Sequence, residues 1–214
     1  MNKYEIKNLI GANVVIFEIG CADGIDTLEF LEAFGNEAKF YCFEPDSRNA
    51  NVFKNGGYRP LRPDLKNGIN NPNVIFENKA IGKENGTLIF NQSSTIYSSS
   101  LKKPTEALSN TWPEIKFDNQ VIVDCVTLDK YVTDNKIQII DFIWADVQGA
   151  EDYMIQGGMD TFSNKVRYLY TEYANGDKYY QGSPDKNDIL SMLGNNWSIV
   201  RDFGTDILLK NDHF

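Results

Sequence analysis

A chain of 214 residues, 42% hydrophobic and 13% aromatic, is long enough for one domain with a sizeable core and too apolar to stay disordered. Its formal charge of −9 repels nucleic-acid backbones and anionic membrane surfaces, and the basic run Lys102-Lys103 is too short to make a local exception. No apolar run approaches the about 20 residues of a membrane span, the N-terminal stretch lacks the apolar core of a signal peptide, and Cys21, Cys42 and Cys125 sit in or beside strand-like runs without CxxC spacing, as reduced, buried thiols of a cytoplasmic protein do.

In chain order, short apolar runs alternate with helix-like segments. Val14–Ile19 (VVIFEI) reads as a first strand. Asp26–Phe34 (DTLEFLEAF) reads as a helix, because Leu28, Leu31 and Phe34 recur at i, i+3 spacing and Asp26 stands in its first turn. Lys39–Phe43 is a second strand, and Asp46–Lys54 a helix capped by Asp46 or Ser47. Residues 55–73 (NGGYRPLRPDLKNGINNPN) are full of Gly, Pro and Asn and form a long loop. Val74–Ile81 is a third strand, joined to Thr87–Phe90 by the turn GKENG. Gln92–Pro113 is Ser-rich and irregular. Val121–Thr127 is a strand, Leu128–Val132 a short helix, and Ile139–Val147 (IIDFIWADV) a buried strand. Ala150–Gly157 is a helix ended by Gly157-Gly158. Val166–Tyr173 is a strand, Lys186–Leu193 a helix, and Trp197–Phe203 with Ile207–Lys210 a closing hairpin.

Strands separated by helices, apolar on both faces, imply an α/β domain whose largely parallel sheet is covered on both sides; the final hairpin makes the sheet mixed. One domain spans 1–214, with residues 91–120 inserted over the sheet's C-terminal edge.

Ligands of an open α/β sheet sit at the C-terminal ends of its strands, near the topological switch point. The first turn, FEIGCADG, is therefore the place to look. A GxGxxG fingerprint starting at Gly20 needs glycine where Ala22 and Ile25 stand, which argues against a nicotinamide enzyme. Glu18, at the strand tip, repels a pyrophosphate but suits a ligand with positive charge. S-adenosylmethionine carries a sulfonium and an ammonium, and its carboxylate suits the free N–H groups of the next helix. Gly20, Cys21, Ala22, Asp23 and Gly24 then wall the cofactor. Glu44, followed by Pro45 in YCFEPD, ends the second strand and can accept both ribose hydroxyls, although the same geometry serves the ribose of NAD. A capped strand–helix turn and a solvated strand-end acid are the plain alternatives. Asn78, Lys79 and Ala80 end the third strand within reach of an adenine edge, or form an ordinary turn.

The segment TLDKYVTDNKIQIIDFIWADVQGAEDYMIQGG resembles the hallmark of the FkbM family of S-adenosylmethionine-dependent methyltransferases: a TLD-like start, a spacer, a strand of the form IDFxKxDVEGxE, and a helix ending at Gly. FEIGCADG, YCFEPD, the NKAIGKENG turn and the Ser cluster SSTIYSSSL agree in order, so the resemblance runs from residue 14 to about 173. It implies a Rossmann-like class I methyltransferase fold, with a mixed seven-stranded sheet whose last strands form the hairpin. It also implies that Ser98, Ser99 and Ser100 lie over the cofactor or acceptor, a flexible loop being the alternative. Two positions depart from the pattern: Trp144 replaces the family's Lys, and Gln148 its Glu.

Methyl transfer is an in-line displacement at an activated methyl, so positioning supplies much of the rate, about 7–11 kcal/mol for well-oriented reactants. A hydroxyl acceptor must also lose its proton, and a positioned base is worth on the order of 10²–10⁴-fold. The one histidine, His213, reads as a solvated tail residue. The base is then a carboxylate, a lysine, a tyrosine or a metal-bound arrangement. Asp146 ends the most apolar strand, where an acid has no packing purpose. Glu151 stands in the first turn of the next helix, where acids are favoured anyway, and Glu172 ends the following strand. The three can converge on one crevice. They also suit Mg²⁺ or Ca²⁺, but Asp-x4-Glu is no dedicated metal loop and no metal is assigned. Tyr97, Trp112, Tyr173, Tyr179 and Tyr180 fall in loops; aromatic faces beside acids suit a sugar, though rim packing explains any single one as well. The resemblance implies methylation of hydroxyls on sugars or natural products. The expected function is O-methylation of a sugar or glycan hydroxyl. The alternatives are O- or N-methylation of a non-sugar metabolite, a nicotinamide-dependent oxidoreductase, and a non-catalytic cofactor- or glycan-binding module.

Overall fold

The computed structural model describes residues 1–214. From the N-terminus, α1 (Lys3–Ile10) leads into β1 (Val14–Ile19), α2 (Ile25–Phe34), β2 (Ala38–Phe43), α3 (Ser47–Asn55) and β3 (Val74–Glu77). A smaller unit follows: β4 (Ala80–Ile81), β5 (Gly86–Gln92), α4 (Glu106–Thr111) and β6 (Asn119–Val126). The chain returns through α5 (Leu128–Asp134), β7 (Ile140–Ala145), α6 (Glu151–Gln156), α7 (Met159–Asn164), β8 (Val166–Glu172), α8 (Lys186–Leu193), β9 (Trp197–Asp202) and β10 (Asp206–Asn211).

The main sheet has seven strands in the order β3-β2-β1-β7-β8-β10-β9. The first five are parallel, and β10 joins β8 and β9 antiparallel. This is the expected class I methyltransferase architecture, with its closing hairpin. Side chains alternate across each strand, and β1 shows the consequence. Phe17 and Ile19 enter a core with Leu128 of α5, Met154 of α6, Phe162 of α7 and Ile189 of α8. Val14 and Ile16 enter the opposite core, with Ile6 of α1, Phe30 and Phe34 of α2 and Phe53 of α3. No helix is long and apolar enough to cross a membrane.

Several elements differ from the sequence pattern. Val74–Ile81 is two strands, not one: the chain breaks at Asn78 and Lys79, so that β3 pairs with β2 while β4 pairs with β6. β4, β6 and β5 form a separate three-stranded sheet, whose partners a local pattern cannot reveal. The Ser-rich segment contains α4. Two more helices, α1 and α7, lie outside the expected set. α1 begins with a capping box in which the Asn2 side chain accepts from the Glu5 N–H and the Glu5 carboxylate accepts from the Asn2 N–H. The cap of α3 is Asp46, whose Oδ1 accepts from the Arg48 N–H at 3.0 Å.

β1 runs outward to β2 and β3 on one side and meets β7 on the other. The crevice outside the tips of β1, β2 and β7 is therefore the switch point of the sheet.

Candidate active site

The tips of β1 and β7 touch closely. The Asp146 N–H donates to the Ile19 carbonyl at 2.9 Å. Gly20 has φ +87°, and a Cβ there would lie 1.8 Å from the Asp146 carbonyl oxygen, so only glycine permits this approach. From Gly20 the chain turns past β2, where the Gly20 and Cys21 N–H groups both donate to the Phe43 carbonyl.

Glu44, 5% exposed, ties two loops together. Its Oε2 accepts from the Ala22 N–H at 3.0 Å and its Oε1 from the Asp46 N–H at 2.6 Å. Burial pushes its pKa up to about 8, against the two backbone donors that favour the charged form. The Asn78 amide braces this turn by donating to the Glu44 carbonyl at 2.7 Å and the Pro45 carbonyl at 3.2 Å.

A pocket of about 80 Å³ opens above these strand tips. Gly20, Ala22, Glu44, Pro45, Lys79, Ala80, Ser99 and Asp146, all expected at the cofactor site, line it. Glu18, Cys21, Asp23, Gly24 and Asn78 do not. Glu18 shares its face of β1 with Val14 and Ile16, so it points into the helix layer: its Oε2 accepts from Thr27 Oγ1 of α2 at 2.6 Å. Its Oε1 has no partner, and its pKa is pushed up to about 8 by burial, then by the charge of Asp26.

Position 144 lies beside Glu18 in the β1–β7 register, on that same inner face. Trp144 stacks on Tyr170 at 4.2 Å between centroids. The Lys3 ammonium sits 3.2 Å from a Trp144 ring centroid and 2.5 Å from Asp26 Oδ1. The departure from the family's lysine thus falls under the sheet, and α1 brings a lysine to the same place.

Sequence reasoning did not single out several pocket residues: Asn49, Ile96 and Leu101. Asn49 donates from Nδ2 to the Ile96 carbonyl at 2.7 Å, while its buried Oδ1 has no partner. Its place in the first turns of α3, just after Glu44, was the available signal. The Ser cluster is a strap. Ser99 Oγ donates to Asp46 Oδ2, Ser100 Oγ donates to the Gln148 carbonyl at 2.7 Å, and Tyr97 donates to Asp23 Oδ2 at 2.8 Å. Asp23 is itself steadied from the 55–73 loop, where fully buried Arg59 donates to the Asp23, Leu65, Asn67 and Val52 carbonyls.

A second cavity, of about 530 Å³, adjoins the first, and Tyr97 and Gln148 line both. It brings together all five loop aromatics, Tyr97, Trp112, Tyr173, Tyr179 and Tyr180, with Glu151 and Glu172. Gln148 is the joint. It adopts φ +52°, its Nε2 donates to Asp146 Oδ1 at 2.7 Å, and its Oε1 accepts from the Tyr180 hydroxyl at 3.0 Å. Gly149, at φ +85°, lets Tyr180 pack against this turn, since a Cβ there would lie 2.9 Å from Tyr180 Cβ.

All three acids are raised, and the Asp146 charge contributes to the other two. Burial lifts Asp146 to about 6, with the Gln148 amide opposing. Burial and then the Asp146 charge lift Glu151 to about 7. The Asp146 charge, then burial, lift Glu172 to about 9. Crowding of these buried acids raises their affinity for protons, an arrangement that suits a group accepting a proton from an acceptor hydroxyl. No three His, Cys, Asp or Glu side chains are grouped to hold a metal ion. His213 is exposed, next to the C-terminus.

The chain matches the family described as the methyltransferase FkbM domain over residues 10–204. It is 33% identical over 208 residues to the 2-O-methyltransferase NoeI of Sinorhizobium fredii, covering 92% of this chain and 79% of that protein. Among solved structures it is similar to one from Clostridium thermocellum described as an rRNA methylase, with TM-score 0.47, 12% identity, and coverage of 98% of this chain and 96% of that one. Another is the N-terminal domain of EvdMO1, determined in the presence of SAH and D-fucose, with TM-score 0.39, 10% identity, and coverage of 98% and 82%. Strand order, rather than these low scores, defines the fold.

Proposed function

The chain belongs to the FkbM family of methyltransferases, and from that premise we propose that it transfers a methyl group from S-adenosylmethionine to a hydroxyl of a sugar or glycan. The observation that carries this reading is the meeting of two cavities at Tyr97 and Gln148, beside Asp146 in the wall of the first, one suited to the cofactor and one lined by acids and aromatic rings. The 2-O-methyltransferase relative supports oxygen as the atom methylated.

The residues present fit the cofactor. Glu44 offers a carboxylate to a ribose diol. Phe43, Ile81, Phe90 and Leu101 offer an apolar slot to a flat base, and the partnerless Asn49 Oδ1 offers an acceptor. S-adenosylmethionine, when bound, supplies a methyl already activated for displacement. Glu18 acts beneath the site: through Thr27 it fixes the first turn of α2 rather than touching the ligand. At about 80 Å³ the pocket is smaller than the roughly 300 Å³ of ordinary ligand sites. The wall of Ile96, Tyr97 and Ser99, part of the segment 91–120 that covers the crevice, therefore withdraws to admit the cofactor.

In the second cavity, sugar hydroxyls meet Glu151 and Glu172, and the ring's C–H faces meet the aromatic side chains. Asp146 would take the proton of the acceptor hydroxyl, whose oxygen is the nucleophile toward the activated methyl. Gln148 keeps the Asp146 carboxylate oriented and charged until then. The reading is tested by calorimetric titration with S-adenosylhomocysteine and with NAD, followed by incubation with a panel of neutral glycosides. Binding of the first ligand alone, and a mass gain of one CH₂ on a glycoside oxygen, are expected. NAD binding without a response to S-adenosylhomocysteine would contradict it.

A further inference from the structure

The cavity beside Asp146 is lined by acids and by no base. Glu151, Glu172 and Asp177 line it, and no lysine, arginine or histidine does. Buried Lys102 is engaged elsewhere: its Nζ lies 2.7 Å from Asp152 Oδ1 and donates to the Gly182 carbonyl at 2.6 Å. Lys178, next to Asp177 in sequence, is turned to Asp188, 3.9 Å away. The apolar part of the wall is mostly aromatic, with the rings of Trp112 and Tyr179 4.7 Å apart at an interplanar angle of 62°.

An anion entering this space gives up its hydration and gains no cation in return, while facing the negative charge of neighbouring Asp146 and the carboxylate of Asp177 at the rim. A neutral polyol is treated differently. Its hydroxyls donate to the acids, and its ring lies on the aromatic faces. An ammonium gains further by the same charges, including the ring faces. The net charge of −9 extends this discrimination to the approach from solution.

We infer that the acceptor, on the reading proposed above, is an uncharged or amine-bearing saccharide that carries no phosphate. Sugar phosphates and nucleotide-activated sugars are turned away by charge. The reaction that supplies the substrate is then a glycosyl transfer, which leaves the nucleoside diphosphate behind, and methylation follows it. Repulsion here is a means of specificity in its own right.

The test is methyl transfer measured on matched sets of one sugar: the methyl glycoside, the glycosyl 1-phosphate and the nucleoside-diphosphate sugar, for glucose, galactose, mannose and N-acetylglucosamine, with glucosamine as the amine. For whichever sugar is used, kcat/KM for the glycoside should exceed that for the phosphorylated forms by about 100-fold or more. In the variant Asp177→Lys, which reverses a carboxylate at the exposed rim, that ratio should narrow at least about tenfold. A phosphorylated form used as well as the glycoside overturns the inference while leaving sugar O-methylation standing, and an unchanged ratio in the variant counts against it too. No turnover of any form, with S-adenosylhomocysteine still bound, removes the saccharide reading and this inference with it.

Discussion

Gln148 holds Asp146 through a side-chain hydrogen bond, from its Nε2 to Asp146 Oδ1 at 2.7 Å, while its Oε1 accepts from the Tyr180 hydroxyl. The donated bond favours the ionised aspartate, against a burial that favours the neutral acid. Gln148→Leu removes the donor, and Gln148→Glu replaces it with a second negative charge. Both should move the rising limb of the pH–rate profile above its position near pH 6, with the glutamate variant moving it further. The sign follows from the base: activity requires the charged form, so a higher pKa demands a higher pH. Profiles of parent and variants that superimpose would show that Gln148 does not act on Asp146.

Glu44 is protonated at neutral pH in the free protein, because burial raises its pKa to about 8. A ribose diol donates hydrogen bonds to it and favours the ionised form. Cofactor binding at pH 7 should therefore release a proton, read by calorimetry in buffers of different ionisation enthalpy. Glu44→Gln should abolish that release and weaken S-adenosylhomocysteine binding by about 1–3 kcal/mol, the usual cost of leaving partners unpaired. Unaltered affinity in the variant would remove Glu44 from the site.

Glu18 sets a stability trend opposite to that of salt-bridged carboxylates. Its folded pKa, raised to about 8 by burial, exceeds that of the unfolded chain, so the native state binds more protons across the interval between them. Stability then falls as pH rises from about 4.5 to 8. Glu18→Gln keeps the shape and an acceptor for Thr27 while removing the charge. Its Tm should exceed the parent's at pH 8 and match it near pH 5. A lower Tm at both pH values would show that the carboxylate itself is required.

The Ser-rich strap should move when the cofactor enters. Tyr97→Phe removes the bond to Asp23, so exchange of backbone amides in residues 93–101 should quicken in the free variant. Saturating S-adenosylhomocysteine should change exchange in this segment of the parent more than in β7. An unresponsive segment would mean that the cofactor enters by another wall.

Much of this was legible in the chain because the sheet imposes a simple grammar. Apolar runs that end in an acid, as at Glu44 and Asp146, announce the C-terminal crevice of an α/β sheet. Glu18 carries the same signature yet faces α2, and period-two alternation with Val14 and Ile16 was the clue to its direction. Gln148 stood out only as a departure from the family's glutamate; its role depends on Tyr180, far along the chain, which no local pattern connects to it. Arg59 was invisible in a Gly- and Pro-rich loop because its partners are backbone carbonyls, which carry no sequence identity. The second sheet escaped for a related reason: β4 has two residues and exists only through its pairing with β6. α1 was within reach, since Asn2 and Glu5 form the spacing of a capping box.

Single-turnover methyl transfer by Asp146→Asn tests the central claim most directly. The variant keeps shape and burial and loses proton affinity. With the neutral glycoside used best by the parent, the rate should fall by roughly 10²–10⁴-fold, while S-adenosylhomocysteine affinity changes little. A rate equal to the parent's would contradict Asp146 as the base.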